Sequence, residues 1–211
     1  MIQFCVPLGA INANCYILAD NESKEAVVID PGDFTDELKK VIQDGEIKTV
    51  KYILLTHGHY DHILGVYDLK QYTGAQVGIN INDASCLENE HDSGAGHHFK
   101  EVQKSLKADF YLEDGMRLIF GKTELRVLFT PGHTPGGVCF ISEHEHKIFS
   151  GDTLFYHTIG RTDLPGGNMT VMKNSLRRII ELKGDYSVFP GHDRSTSLDE
   201  ERQHNRYLRG L

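Results

Sequence analysis

The segment THGHYDH at residues 56–62 places four potential metal ligands within six positions. His57 and His59 are two residues apart, so an extended backbone would point both imidazoles in the same direction. Asp61 and His62 begin the next turn and can reach a second position nearby. A solvated histidine cluster or a hydrogen-bonded core network is the simpler alternative, but this spacing favours ligands to two neighbouring metal ions.

Three further candidate ligands share one setting, in which each residue directly follows a glycine that comes after the end of an apolar run. They are His133 in TPGHTPG, Asp152 in FSGDT and His192 in FPGHD. A single residue of this kind is more often structural, but three in matching contexts favour a ligand set at one edge of the fold. The chain also has 12 histidines against 4 scattered cysteines without a C-x-x-C pair, a balance that favours imidazole ligands over thiolates.

The elements that position these residues alternate between strands and helices in the first half of the chain. The run 50–56 is apolar and β-branched, as expected of a strand covered on both faces, and it leads directly into His57. Further strands are predicted at 2–6, 14–20, 25–30 and 75–80, with helices at 36–43, capped by Thr35, and at 63–73, ended by Gly74.

The second half of the chain repeats this pattern after a polar segment at 88–108. That segment is predicted to be a surface loop leading into a short helix, and its His91, His97 and His98 are expected to be solvated. Strands are predicted at 110–112, 116–120, 124–130, 137–142, 147–152 and 187–190, with helices at 170–183 and 197–208. Two β-rich halves, each followed by helices, predict an α/β fold with two sheets packed face to face, in a single domain over residues 1–211.

Charge and hydropathy exclude several classes of function. The net charge is −8, with no run of Lys or Arg, which argues against general nucleic-acid binding. No apolar stretch approaches the roughly 18–20 residues of a membrane span, and the N-terminus lacks the features of a signal peptide. These features predict a cytoplasmic protein that does not bind membranes, and they leave its oligomeric state open.

The motifs THGHYDH, PGHT, GD and PGH together resemble the signature of the metallo-β-lactamase superfamily, over essentially the whole chain. The resemblance implies a four-layer αββα sandwich, with two mixed β-sheets packed face to face and helices outside. It implies that one metal is held by His57, His59 and His133, a second by Asp61, His62 and His192, and that Asp152 bridges them. It further implies that Asp30 orients a ligating histidine, whereas capping of the Pro31-Gly32 turn is an equally economical role.

Two divalent ions in such a site would lower the pKa of a shared water and polarise a substrate carbonyl, so no serine or cysteine nucleophile is needed. Asp61, Asp152 and Asp30 are the predicted catalytic aspartates. Zinc is the first expectation for a ligand set of imidazoles and carboxylates, although iron and manganese also suit it.

The segment GDTLFYHTIGRTDLPGG at 151–167 resembles the glyoxalase II branch of the superfamily. This resemblance implies a small-molecule substrate, a glutathione thioester such as S-lactoylglutathione, with Arg161 as the basic residue that binds a substrate carboxylate. A solvent-exposed or salt-bridged arginine is the alternative for that position. The chain departs from glyoxalase II at Asp163, where that branch has an aromatic residue, and in having only 19 residues after His192, too few for its helical C-terminal domain.

Two other functions stay open at this point. Persulfide dioxygenases also carry the GRTD sequence and use His, His and Asp around one iron, although the presence of Asp61, His62 and His192 favours two metals. A metal-binding module without catalytic activity is the non-enzymatic alternative. A β-lactamase is disfavoured because Asp152 stands where those enzymes usually have a cysteine or another ligand, and a nuclease because no additional domain is present.

Overall fold

The computed structural model describes residues 1–95 and 103–211, which contain two six-stranded mixed sheets. The first sheet is ordered β1-β2-β3-β4-β5-β6. Its strands are β1 Ile2–Leu8, β2 Ala13–Ala19, β3 Glu25–Ile29, β4 Thr49–Leu54, β5 Gln76–Ile79 and β6 Phe110–Tyr111. Pairing is antiparallel from β1 to β3 and parallel from β3 to β6.

The second sheet is ordered β14-β13-β10-β9-β8-β7. Its strands are β7 Arg117–Phe120, β8 Thr123–Phe129, β9 Val138–Ser142, β10 Lys147–Gly151, β13 Ser187–Pro190 and β14 Thr196–Ser197. Its one parallel pair joins β10 to β13. A small hairpin of β11 Leu154–Phe155 and β12 Thr158–Ile159 follows β10.

Helices cover the outer faces of both sheets. They are α1 Asp36–Asp44, α2 Tyr60–Ile63, α3 Val66–Thr73, α4 Glu90–Ser93, α5 Met169–Ile180 and α6 Leu198–His204, with a 3₁₀ helix at Ile81–Leu87. The predicted cap of α1 is confirmed, because Thr35 Oγ1 accepts a hydrogen bond from the Leu38 amide at 3.2 Å. No helix among the described residues is long and apolar enough to span a membrane.

Successive side chains of a strand point to opposite faces of the sheet, and this alternation separates three apolar clusters. In β2, Ile17 packs into the cluster shared with α1 and α3, whereas Leu18 packs between the two sheets. In β9, Phe140 belongs to the layer between the sheets and Ile141 to the cluster shared with α5 and α6. The order of layers is therefore helix, sheet, sheet, helix, and the predicted αββα fold class is confirmed.

Several element boundaries differ from the prediction. The helix predicted at 63–73 is two helices, α2 and α3, because the Gly65 amide donates to the Pro31 carbonyl at 2.9 Å and not to a carbonyl one turn earlier in its own helix. Glycine is needed there, since a Cβ would lie 2.4 Å from the Asp33 carbonyl oxygen. The last two helices end earlier than predicted, at Ile180 and His204. The hairpin β11-β12, strand β14 and the 3₁₀ helix were not predicted, because short elements carry too little periodicity.

The polar segment at 88–108 is described only in part. Its first residues form the one-turn helix α4, between the 3₁₀ helix and Gly94. His97 and His98, and the start of the short helix predicted after the loop, lie outside the described residues.

Candidate metal centre

The predicted ligands follow strands that end at one edge of the sandwich. His57 comes after β4, His133 after β8, Asp152 after β10 and His192 after β13. Parallel strands end at the same edge, so the pair β10-β13 brings Asp152 beside His192, where the Gly191 amide donates to the Gly151 carbonyl at 2.9 Å. The two sheets are joined at this edge as well, because the Val138 amide donates to the Thr56 carbonyl at 2.8 Å.

The first ligand cluster consists of His57, His59 and His133. One ring nitrogen from each lies within 4.8 Å of the others, and His133 Nε2 is 2.9 Å from His59 Nδ1. His57 and His133 are almost fully buried. Three imidazole nitrogens converging on one point match the donor set of a divalent metal site.

The second ligand cluster consists of Asp61, His62 and His192. Asp61 Oδ2 lies 3.1 Å from His192 Nε2 and 3.2 Å from His62 Nε2. The two Nε2 atoms are 3.3 Å apart. The structure thus brings together two groups of three side chains, with the membership that the family resemblance implied, across 74 residues between His59 and His133 and 130 residues between His62 and His192.

Asp152 lies between the two clusters. Its Oδ2 is 3.5 Å from His133 Nε2 and its Oδ1 is 3.5 Å from His62 Nε2. A Cβ at Gly191 would lie 2.3 Å from Asp152 Oδ1, so the glycine leaves the carboxylate room.

Two polar atoms at this position have no hydrogen-bond partner among the described residues, although both are buried. They are Asp152 Oδ1 and His57 Nε2. Unpaired buried polar atoms are rare because each costs about 1–3 kcal/mol. A carboxylate oxygen and an imidazole nitrogen are ligands that zinc, iron and manganese accept, so the residues present fit a divalent metal.

Hydrogen bonds on the far side of the rings determine which nitrogen faces the centre. Asp30 accepts from the Thr56 amide at 2.7 Å and from Thr56 Oγ1 at 2.6 Å. Since the hydroxyl's one proton goes to Asp30, Thr56 Oγ1 accepts from His57 Nδ1, 3.0 Å away. His62 Nδ1 lies 3.1 Å from Asp30 Oδ2 and donates to it. Both rings therefore present an unprotonated Nε2 to the centre.

These contacts define the position of Asp30. Its carboxylate already accepts three hydrogen bonds, so the grouping of Asp30 with His57 and His62 is not a third ligand cluster. Its φ of 51° lies in the left-handed region, which is uncommon for a residue other than glycine and occurs often at functional sites. The geometry corresponds to an orienting residue and not to a ligand.

Asp83 is a positioning residue that sequence analysis missed. The carboxylate is buried, and it accepts from the Gly58 amide at 3.0 Å, Thr134 Oγ1 at 2.7 Å and the Gly136 amide at 2.7 Å. It thereby connects the loop of His57 to the loop of His133. Asp83 stands in the sequence IND with no motif around it, so only its tertiary contacts reveal this role.

Burial and charge act differently on the two clusters. Burial lowers the pKa of His57 well below its usual value and that of His59 to about 3, so both are neutral. Burial also acts to lower the pKa of His62, but the nearby Asp61 and Asp152 outweigh it and raise that pKa. In the second cluster, protonation of His62 therefore competes with the binding of a cation.

Arg161 contributes its backbone to the centre. Its carbonyl oxygen lies 2.8 Å from His133 Nδ1 and accepts that proton, so His133 also presents Nε2 to the first cluster. Its guanidinium forms a two-point salt bridge with Asp163, with both N···O distances 2.8 Å, and the side chain is 61% exposed. The side chain thus adopts the salt-bridged arrangement that was the alternative to substrate binding.

A cleft of about 420 Å³ adjoins the second cluster. Asp61 and Tyr60 form its inner end, and Asp33 and Glu37 contribute acidic side chains. Arg161 is not among the residues that line it. A small molecule in this cleft would reach the ligand clusters at Asp61.

Two face-to-face sheets covered by helices, with clustered histidines and aspartates at the strand ends, define a class of metal-dependent hydrolases. Residues 8–192 match the metallo-beta-lactamase superfamily, and the chain belongs to that superfamily.

Two curated relatives resemble the chain over nearly its whole length. The hydroxyacylglutathione hydrolase GloC of Haemophilus influenzae is 34% identical, over 96% of both chains. The probable metallo-hydrolase YqgX of Bacillus subtilis is 32% identical, over 98% of this chain and 97% of the relative. These similarities support the general class of the chain, a metal-dependent hydrolase.

Three solved structures show the range of chemistry near this fold. A B3 metallo-beta-lactamase, BLEG-1, superposes with a TM-score of 0.93 at 34% identity, covering 99% of this chain and all of that one. TTHA1623 in a di-iron-bound form superposes with a TM-score of 0.86 at 35% identity, covering 97% of this chain and 100% of that one. ETHE1 from Myxococcus xanthus superposes with a TM-score of 0.80 at 28% identity, covering 100% of this chain and 85% of that one. All three share the fold of this chain, and one of them holds two iron ions.

Proposed function

We propose that the chain is a binuclear metal-dependent thioesterase that hydrolyses S-2-hydroxyacylglutathione esters such as S-lactoylglutathione. The observation that carries this proposal is the position of Asp152, whose carboxylate lies within 4 Å of ring nitrogens of both ligand clusters. A carboxylate in that position can bridge two cations that lie side by side. The similarity to GloC, a hydroxyacylglutathione hydrolase, supports the substrate class.

The proposed ligands are His57, His59 and His133 for one ion, Asp61, His62 and His192 for the other, and Asp152 for both. When bound, two divalent ions supply Lewis acidity toward a substrate carbonyl and lower the pKa of water toward neutrality. Zinc is the first choice for these donors, and iron is supported by the di-iron form of TTHA1623.

The chain's own groups then have separate tasks. Asp30 and Thr56 hold the Nδ1 protons of His62 and His57, which keeps both Nε2 atoms available. Asp61 belongs to the second cluster and also lines the cleft, so the cleft offers a substrate one approach to the centre. Holding the reacting carbonyl against preorganised groups is the main contribution a protein makes to such hydrolysis.

Arg161 remains the proposed anchor for a carboxylate of glutathione. Its guanidinium is exposed and paired only with a neighbouring side chain, Asp163, so a substrate carboxylate can compete for it. Asp163→Asn removes that competitor, and we expect KM for S-lactoylglutathione to fall while kcat changes little. Arg161→Ala should raise KM, and unchanged KM values in both variants would exclude the anchor.

The decisive experiment measures metal content and turnover together. The full-length chain is reconstituted separately with zinc, iron and manganese, and bound metal per chain is compared with hydrolysis of S-lactoylglutathione. About two ions per chain together with thioester hydrolysis would support the proposal. Two ions without turnover of any thioester, lactone or phosphoester would instead favour a metal-binding module without catalytic activity.

A mononuclear-iron persulfide dioxygenase is the second candidate function. Its support is the structural similarity to ETHE1 from Myxococcus xanthus, together with the GRTD sequence at 160–163. In that case, the purified chain should hold one iron and consume oxygen in the presence of glutathione persulfide. That result, without thioester hydrolysis, would overturn the binuclear proposal.

A further inference from the structure

A third cluster of ligating side chains lies where helix α6 meets the hairpin β11-β12, and it shares no residue with the proposed centre. It consists of His157, Glu200 and His204, with one ligand atom of each within 4.8 Å of the others. Both imidazoles approach the same oxygen: Glu200 Oε1 is 2.7 Å from His157 Nε2 and 3.2 Å from His204 Nδ1.

The arrangement follows from two elements of fixed geometry. Glu200 and His204 are four residues apart on α6, so they lie on one face of the helix. His157 reaches the same point from the turn between β11 and β12. Ligand atoms of a tetrahedral zinc site with bonds of about 2.0–2.2 Å are about 3.3–3.6 Å apart. The three ligand atoms lie within 4.8 Å of one another, so no separation would have to close by more than about 1.5 Å to reach the tetrahedral spacing.

The backbone holds His157 in a position that carries a conformational cost. Its φ is 56°, a value that tight hairpin turns usually assign to asparagine or glycine. The turn is fixed by Glu201, a fully buried carboxylate that accepts from the His157 amide at 2.9 Å. Glu201 also accepts from Thr196 Oγ1 and Asn205 Nδ2, both at 2.7 Å. The ring of His157 is thus aimed at Glu200 by a network on the opposite side of the backbone.

We propose that His157, Glu200 and His204 bind a divalent transition-metal ion, with zinc as the best chemical match. Two imidazoles and one carboxylate are a common donor set for zinc that leaves a fourth position open. The three side chains are 35%, 37% and 54% exposed, so water can occupy that position. Because these ligands are more exposed than those of the buried centre, we expect weaker binding here.

A cation at this third cluster would connect α6 to the hairpin that follows Asp152. The hairpin carries Phe155, whose ring centre lies 6.4 Å from that of His192 in the second cluster. Occupancy would therefore stabilise the wall beside the proposed catalytic centre without supplying a ligand to it. This inference does not depend on which reaction the centre performs.

The test compares bound zinc in the wild-type chain and in single variants after equilibrium dialysis against free Zn²⁺. His204→Ala should bind one equivalent less than the wild type, whatever number the main centre holds. Glu200→Gln preserves the size of the side chain and should show the same loss. His144→Ala removes an exposed histidine from the turn between β9 and β10, and it should leave the zinc content unchanged.

Thermal unfolding provides a second readout. Saturating Zn²⁺ should raise the melting temperature of the wild type more than that of His204→Ala, since an ion bound only to the folded chain stabilises it. Equal zinc content in the wild type, His204→Ala and Glu200→Gln would overturn the proposal. An equal loss in His144→Ala would overturn it too, because the extra zinc would then bind exposed histidines without selectivity.

Discussion

Each ligand cluster of the proposed centre takes two side chains from residues 57–62, yet the two clusters differ in their donors. The first offers three imidazoles, whereas the second adds the Asp61 carboxylate to two imidazoles. Imidazole suits zinc and iron, and carboxylate ligands extend the range toward manganese. We therefore expect the two positions to differ in metal preference, although one carboxylate, Asp152, lies near both.

The residues that support the two clusters also differ. Asp30 contacts His62 directly and reaches His57 only through Thr56. Asp83 contacts neither cluster, but it fixes the loops on which His57 and His133 stand. Substitution can therefore disturb one cluster more than the other, and the following experiments use this difference.

Asp152→Asn should have the largest effect because it changes the side chain between both clusters. We expect kcat/KM for the thioester to fall at least about 100-fold, with loss of bound metal. Replacing a residue that only orients a metal ligand already lowers metal affinity or activity by about 10–100-fold. Asp44→Asn, at the exposed end of α1, removes a carboxylate of the same size as a control. Full activity with normal metal content in Asp152→Asn would rule out the bridging role.

Asp30→Asn should reduce activity by about 10–100-fold and affect the second cluster more than the first. Asparagine has one accepting oxygen, so it cannot accept all the hydrogen bonds that now hold Thr56 and His62. Metal content per chain provides the measurement. Thr56→Ser keeps the hydroxyl and should retain most activity, whereas Thr56→Val removes the group beside His57 and should affect the first cluster more than the second. If Asp30→Asn kept both its metal and its activity, the orienting role would be wrong.

Asp83→Asn should act mainly on stability. Asparagine has one accepting oxygen, so it leaves either the Gly58 or the Gly136 amide unpaired, at a cost of about 1–3 kcal/mol in the free energy of unfolding. Urea unfolding in the presence of a chelator separates this effect from metal binding. Loss of metal from the first cluster before the second would support the role of Asp83 in fixing the loops of His57 and His133. Unchanged stability and unchanged metal content would refute that role.

Metal preference should show the smallest difference. From an equimolar mixture of zinc and manganese, His59→Ala should retain a lower ratio of zinc to manganese than His192→Ala, because it removes an imidazole from the cluster without carboxylate ligands of its own. Bound metals are measured after removal of the excess. Equal ratios in the two variants would mean that the clusters do not differ in preference.

Much of the scaffold was predictable because its signals are local. The Thr35 cap, the Gly74 stop and the buried strand before His57 each depend on neighbouring residues, and the structure confirms them. The break at Gly65 was missed because its amide bonds to the Pro31 carbonyl, which belongs to another segment. The single-domain extent over 1–211, the cytoplasmic location and the metal-ligand roles stay predictions.

By itself, the sequence determined which side chains are available for metal chemistry and that each follows a strand, because residue type and spacing are properties of the chain. Only the tertiary structure decided that Asp152 lies between the clusters, that Asp83 joins two loops and that the Arg161 side chain pairs with Asp163. Distances between residues far apart in the chain depend on how the two sheets pack, and no local pattern encodes that packing.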